Sequence, residues 1–446
     1  MERSSSASSA SCDPVESDDW ISKLPDNVLL VILSRLSTEE AVRTGLVSKR
    51  WEHLWKHMSH LALDIRKKVI INSKDTRDVS NQVATLMTKI INNHRGHLES
   101  CVIDHYSNWM LNTWIQSLTG LKQTKHLTLR HRIDMSNYEP IDLPPNSFSY
   151  PGLTSLSLLS YYLRSSDSFS NCQNLKTLKL SCMNAIDVGV FNRILASCPA
   201  LEVLAINICC SQKNGRLKIE NKRLNLLKVS VGREFGGIQV SSPILHFLAI
   251  EDFFPCWRDE FVLASTRLQF NRNPWLPRKF YPHISYNISQ EENCIGHEEF
   301  VVNSCVELLG GWPIASLSVS VDLKNPTEVE RLRQVLLVWT RHMVELEILF
   351  KNNDAPREEG ESSPKRIDLF SNAGFRVDKV WMHNFSGSEE EFALASRLIK
   401  EGTVVKKMMI KTTSFSARKK LEIEAAVAKL RALVTKRQWQ LTIECF

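Results

Sequence analysis

Cys294 and His297 form a Cys-x-x-His pair, with Cys305 downstream and His283 upstream, and this is the chain's nearest approach to a metal-ligand set. A structural zinc site needs four convergent ligands, usually as two tight pairs. One loose pair falls short, so neither a metal nor a cofactor is expected. The chain also lacks a Walker loop, a Gly-x-Gly-x-x-Gly turn, a His-Glu-x-x-His helix and a Gly-x-Ser-x-Gly elbow. Those patterns cradle phosphate, hold zinc or present an activated serine. The 13 histidines are scattered, and spacing alone pairs no nucleophile with a base. No catalytic residue is assigned, and the chain reads as one that binds rather than reacts.

Composition narrows what it binds. The 446 residues carry a net charge of +7, with 43% hydrophobic and 24% charged residues. That is ordinary globular composition with a mild charge, not the concentrated basic stripe of a nucleic-acid binder. The runs Arg66-Lys67-Lys68 and Arg418-Lys419-Lys420 read as solvated surface. No apolar stretch is long enough for a membrane span, which takes about 20 residues. Residues 1–19 are Ser-rich without an apolar core and read as a flexible tail rather than a signal. Eleven cysteines, with no Cys-x-x-Cys, suit reduced, buried roles for residues such as Cys101, Cys209 and Cys210. The expected location is the nucleus, the cytoplasm or both.

Residues 20–63 carry three short helical stripes. Val28, Leu29, Ile32, Leu33 and Leu36 recur at helical spacing behind Pro25. Ser37-x-x-Glu40 is a capping box. Trp51, Leu54, Trp55 and Met58 share a third stripe. Leu24, Val28, Ile32, Leu36, Val47, Trp51 and Trp55 exceed what so small a unit can hide. An apolar surplus of this kind marks a protein interface.

The runs Leu24-Pro25-Asp26, Ile32-Leu33-Ser34-x-Leu36 and Val47-Ser48-Lys49-Arg50-Trp51 resemble an F-box. The resemblance implies docking on a Skp-type adaptor, and through it on a cullin–RING ubiquitin ligase. It also implies that Leu24, Pro25, Ile32, Leu33, Leu36, Val47 and Trp51 face the adaptor or support that face.

From 64 to 350 a Leu-x-x-Leu-x-Leu pattern recurs, at Leu153/Leu156/Leu158, Leu175/Leu178/Leu180, Leu201/Leu204/Ile206, Leu224/Leu227/Val229 and Leu245/Leu248/Ile250. The copies are spaced by 22, 26, 23 and 21 residues. Weaker copies lie at Leu98/Cys101/Ile103, Thr124/Leu127/Leu129, Ile314/Leu317/Val319 and Met343/Leu346/Ile348. This is the period of leucine-rich repeats. Each unit is a strand and a return segment that bury a shared ladder only when stacked. The alternative, a two-layer α/β domain with a non-repeating sheet, does not explain five copies near one period. Val188 to Cys198 reads as a return helix stopped by Pro199. The fold expected is α/β: a three-helix F-box, then a repeat solenoid with parallel strands on the concave face and helices on the convex face, then an α/β cap. A concave repeat face is a binding surface, and Arg130, Ser157, Lys179, Asn207, Lys228 and Phe247 are its candidate contacts. The aromatic-rich stretch 252–300 breaks the period.

Residues 351–366 read as a loop. From 367 to 446 the pattern is strand, helix, strand, helix, strand, with one helix opened by Ser388-x-x-Glu391 and closed by Gly402. A longer helix is expected to bury Leu421, Ala425, Leu430 and Leu433. Asn384-Phe385-Ser386-Gly387, Glu390-Glu391 and Val405-Lys406-Lys407-Met408 resemble the FBD domain that follows repeats in plant F-box proteins. All three modules together imply a non-catalytic substrate-recognition subunit of a Skp–cullin–F-box ligase. It would take an adaptor and an unidentified protein substrate, with neither membrane nor nucleic acid. The alternatives are a small-molecule, hormone-like sensor on the same scaffold, or an adaptor-binding scaffold outside any ligase.

Overall fold

The computed structural model describes residues 20–46, 49–64, 76–106, 109–132, 141–212, 215–232, 235–251, 261–268, 282–289, 297–310, 315–338, 342–351, 375–412, 417–438 and 440–446. It is a mixed α/β protein built on a central, mainly parallel sheet. The strands are β1 (His60–Leu63), β2 (Ser100–His105), β3 (His126–His131), β4 (Ser155–Leu159), β5 (Tyr162–Leu163), β6 (Thr177–Ala185), β7 (Val203–Cys210), β8 (Leu217–Glu220) and β9 (Leu226–Val231). They continue as β10 (Ile238–Ser241), β11 (Phe247–Ile250), β12 (Phe261–Ala264), β13 (His283–Asn287), β14 (Ser316–Val321), β15 (His342–Phe350), β16 (Arg376–His383), β17 (Val404–Lys411) and β18 (Thr442–Cys445). The main sheet runs β1-β2-β3-β4-β6-β7-β9-β11-β13-β14-β15-β16-β17-β18, while β12-β10-β8 forms a second, parallel sheet.

The leucine ladder forms in register. Cys101, Leu127, Leu156, Leu178, Leu204, Leu227 and Leu248 are successive cross-strand partners, as are Ile103, Leu129, Leu158, Leu180, Ile206, Val229 and Ile250. All lie in one core with Trp114, Phe148, Phe169, Phe191 and Ile194 from the return segments. The return helix Val188–Ala196 forms, capped by Asp187, whose side chain accepts from the Val190 N–H. Its Asn192 side chain then holds the open edge of β8, accepting from Lys218 N–H at 2.8 Å and donating to Arg216 C=O at 2.9 Å. An amide that bonds both ways along an edge does the work of a neighbouring strand.

One joint interrupts the parallel order. β11 and β13 pair antiparallel, with Phe247 opposite Tyr286 and Leu248 opposite Ser285. A right-handed crossover puts its helix on one face of a sheet for one strand direction and on the other face for the reverse. After β13 the helices His297–Cys305, Pro326–Leu337, Glu389–Lys400 and Ala417–Ala432 accordingly cover the opposite face. They pack there with Tyr286, Leu317, Leu346, Val380, Met408 and Ile443. The repeat copies at Leu317/Val319 and Leu346/Ile348 do align in register. They lie on the far face, not in the ladder of the earlier copies. Across the joint, that ladder's own row turns polar, from Leu248 to Ser285, Ser318 and Glu347.

The C-terminal elements follow the sequence pattern. Ser388 and Glu391 form their capping box, and Gly402 ends the helix at φ 65. The final helix buries Ile423, Val427 and Leu430, whereas Leu421 and Ala425 are exposed. Of the expected residues, Leu430 is buried and Leu433 packs half-buried against the same core, while Ile423 and Val427 take the places expected for Leu421 and Ala425. The loop read at 351–366 lies outside the described residues, except for residue 351. The strands on either side of it, β15 and β16, pair in parallel. Among the described residues no helix is long and apolar enough to cross a membrane.

Candidate functional site

The N-terminal module is built from the helices Trp20–Lys23, Asp26–Leu33, Thr38–Arg43 and Lys49–Leu54. The Ser37–Glu40 capping box is present, with the Ser37 N–H donating to Glu40 Oε2 at 3.0 Å. Leu29, Leu33, Ala41, Trp51, Leu54, Trp55 and Met58 form the module's core. The F-box resemblance implies that Leu33 and Trp51 face the adaptor or support that face, and the apolar surplus adds Trp51 and Trp55. The fold seals all three inside, because the short fourth helix turns its stripe onto the second. Leu24 and Leu36 are half-buried against the same core, and Val47 lies outside the described residues.

Part of the expected face is left uncovered, together with four further residues. Val28 and Ile32 are exposed beside Val31 at 60%, Trp20 at 68% and Leu46 at 89%, with Ile21 and Pro25 also exposed. Trp20, Ile21, Val31 and Leu46 escaped the sequence reading. Val31 stands three residues after Val28, and that spacing was the available signal. Arg50 ties the fourth helix to the start of the second, donating to Asp26 Oδ1 at 2.9 Å and to the Leu24 C=O at 2.5 Å.

The module is joined stiffly to the sheet. Ala62 N–H donates to Thr38 Oγ1 at 2.7 Å, Arg95 N–H donates to Lys56 C=O at 2.7 Å, and His94 Nε2 bonds Met58 C=O at 2.7 Å. Gly96 passes so close to His57 that a Cβ there would lie 2.9 Å from the His57 Cα.

A second site lies on the polar face of the repeat strands. A cleft of about 870 Å³ is floored by β4, β6 and β7 and walled by the helix His297–Cys305 with its extension to Glu307. It exists because the helical layer changes face at the β11/β13 joint. The first helix on the new face stands beside bare sheet, the kind of crevice that topological switches leave in α/β proteins. Ser157, Lys179, Asn207 and Lys228 line it.

The other two candidates do not line it. Arg130 stands apart, 3.7 Å from Asp104. Phe247 is 0% exposed, stacked edge-on against Tyr286 at 5.6 Å and Phe300 at 6.1 Å. Its alternate-position pattern matched the exposed face, but the wall helix covers that face here. Helix residues Glu299, Phe300, Asn303 and Glu307 join the cleft from far along the chain, which no repeat period could signal.

Two of the three lysines that line the cleft are paired with glutamates. Lys176 meets Glu202 at 3.1 Å, while Lys228 meets Glu251 at 3.4 Å and also binds Glu307. At the start of the wall helix His297, which also lines the cleft, faces His246 with ring centroids 6.4 Å apart. Burial, then the charges of His297 and Arg267, pushes His246 down to about 4. Burial also lowers His297, against the pull of Glu202.

His283 is engaged by serines, Ser316 Oγ at 2.7 Å and Ser285 Oγ at 2.8 Å, and Cys305 is fully buried. Cys294 lies outside the described residues, as do Phe253, Phe254, Trp257, Trp275, Phe280 and Tyr281 of the aromatic stretch. Among the described residues no three His, Cys, Asp or Glu side chains gather as a metal site. Cys101 and Cys210 are buried, whereas Cys209 is exposed.

Residues 21–62 match the F-box domain family, and residues 111–259 match the family described as FBD-associated F-box protein At5g56370, LRR repeats. The chain is 55% identical to F-box protein At1g80960 of Arabidopsis thaliana, covering 100% of both chains. It is 43% identical to F-box protein At3g60790 of the same plant, over 96% of this chain and 90% of that one. It is also 28% identical to the Arabidopsis F-box/FBD/LRR-repeat protein At5g53840, over 52% of this chain and 51% of the relative.

Proposed function

Because the chain belongs to the plant F-box proteins of the FBD and leucine-rich-repeat type, we propose that it is the substrate-recognition subunit of a Skp–cullin–F-box ubiquitin ligase. The F-box, residues 20–63, binds a Skp-type adaptor, and the repeat cleft binds a protein substrate. The observation that carries this reading is the exposure of six apolar residues, Trp20, Ile21, Val28, Val31, Ile32 and Leu46, on a module otherwise closed by its own core. Apolar anchors of this kind supply most of an interface's energy once a partner desolvates them.

The chain contributes positioning rather than chemistry. The bonds from Thr38, Lys56 and Met58 to the strand edge and its approach segment fix the F-box relative to the cleft. Cargo held in the cleft therefore keeps a set distance from a ubiquitin-charged enzyme on the far side of the adaptor. High effective concentration raises the transfer rate without any reactive group in the receptor. The FBD-like elements extend the sheet past the repeats and cap its apolar layer, and the complex works in the nucleus or cytoplasm.

Co-purification with a Skp-type adaptor and cullin tests the reading. The complex is expected to form and to weaken when Leu24 and Pro25 are both changed to Ala. Tight binding indifferent to that change contradicts it.

A further inference from the structure

We propose that the cleft seats a single carboxylate side chain, Asp or Glu, of a protein segment on Lys179. That the occupant is a protein segment rests on the receptor reading above. Its chemistry rests on the cleft. Three lysines and four glutamates line the site, so its field does not draw a polyanion. Lys176 and Lys228 are spent on Glu202, Glu251 and Glu307. Lys179 has no carboxylate partner among the described residues. Its ammonium group lies 5.8 Å from the centre of the Phe300 ring, and the ring's negative face steadies it over the floor.

Hydroxyls surround it. Ser157 is its direct partner on β4, and Thr177 and Ser181 flank it on the same face of β6. None of these three makes a side-chain hydrogen bond among the described residues. One cation within reach of unspent hydroxyl donors is a site for one carboxylate. Beyond Lys179 the row continues through the small residue Ala205 to Lys228, about 10 Å away at ordinary strand spacing. The dent over Ala205 leaves room for the chain that carries the acid. Glu299 on the wall opposes a second negative charge.

The test is selection of a random peptide library, displayed on phage, against the full chain in complex with its adaptor. Enriched peptides are expected to share one acidic position. Lys179→Gln is expected to weaken an enriched peptide by about 10- to 100-fold, and Lys179→Glu to change the preference at that position to Lys or Arg. Enrichment without an acidic position, an unchanged preference in Lys179→Glu, or no enrichment over adaptor alone overturns the proposal. So does a small carboxylic acid that binds through Lys179 where no peptide does. Adaptor binding is read in the same preparation and does not involve Lys179, so loss of the receptor reading and loss of the cleft reading are separate results.

Discussion

Phe247 meets Tyr286 edge-on across the antiparallel joint of the sheet, with ring centroids 5.6 Å apart and planes at 74°. Phe300 from the wall helix closes on the same ring at 6.1 Å. These three rings lock the point at which the helical layer changes face, and the cleft exists only because it changes there.

Removing that lock is expected to be costly. Phe247→Ala leaves a buried cavity between β11, β13 and the wall helix, and is expected to destabilise the protein by about 3–5 kcal/mol. Chemical denaturation measures it, and a loss below about 1 kcal/mol shows that the joint does not depend on these rings.

The junction between module and sheet makes a second prediction. Thr38→Val keeps the volume but strands the Ala62 N–H, which now donates to Thr38 Oγ1 at 2.7 Å. Ala62 is exposed and the bond part-buried, so water can partly replace the lost acceptor and the cost is expected to be about 1 kcal/mol. Amide exchange is expected to quicken across residues 56–63 first.

The edge of β8 makes a third. Asn192→Ala removes both bonds to Arg216 and Lys218. Since water can reach this edge, the loss is expected to be only about 1 kcal/mol. Greater protease sensitivity near residues 215–220, without global unfolding, is the readout.

Acid sensitivity follows from His246. Its folded value of about 4 lies below the ordinary 6.5, so the unfolded chain takes up this proton first. The stability held by neutral His246 is complete above pH 6.5. It falls as pH drops from 6.5 toward 4 and levels off below. The span corresponds to about 3 kcal/mol. Once protonated, the ring confronts His297, Arg267 and Arg331, with Glu202 near His297 as a partial offset. Unfolding free energies measured from pH 7 to 4 are expected to show this slope and to lose it in His246→Phe.

Much of this architecture was legible in the amino-acid order. The leucine spacing gave the register of the ladder from Cys101 to Ile250, and Ser37 and Ser388 announced their helices. Strand direction was not legible, because Leu-x-Leu reads alike whichever way a strand runs. The copies at Leu317 and Leu346 therefore looked continuous with a ladder they do not join. The reversed strand, β13, lies inside the aromatic stretch that breaks the period. In the F-box, a helix with apolar residues on two stripes does not say which stripe turns inward. Leu29 and Leu33 do, leaving Val28, Val31 and Ile32 outside. Trp51 and Trp55 resembled anchors for a partner but fill the module's own centre.

The account stands most directly on those outward residues. Isothermal titration of the purified chain with a Skp-type adaptor, beside the double variant Val31→Asp with Ile32→Asp, reads them. Both residues are exposed, so unfolding of the variant is expected to change by no more than about 0.5 kcal/mol each. Its adaptor affinity is expected to fall by about 100-fold. An unchanged affinity in a variant that folds normally contradicts the claim that this face is where the adaptor binds.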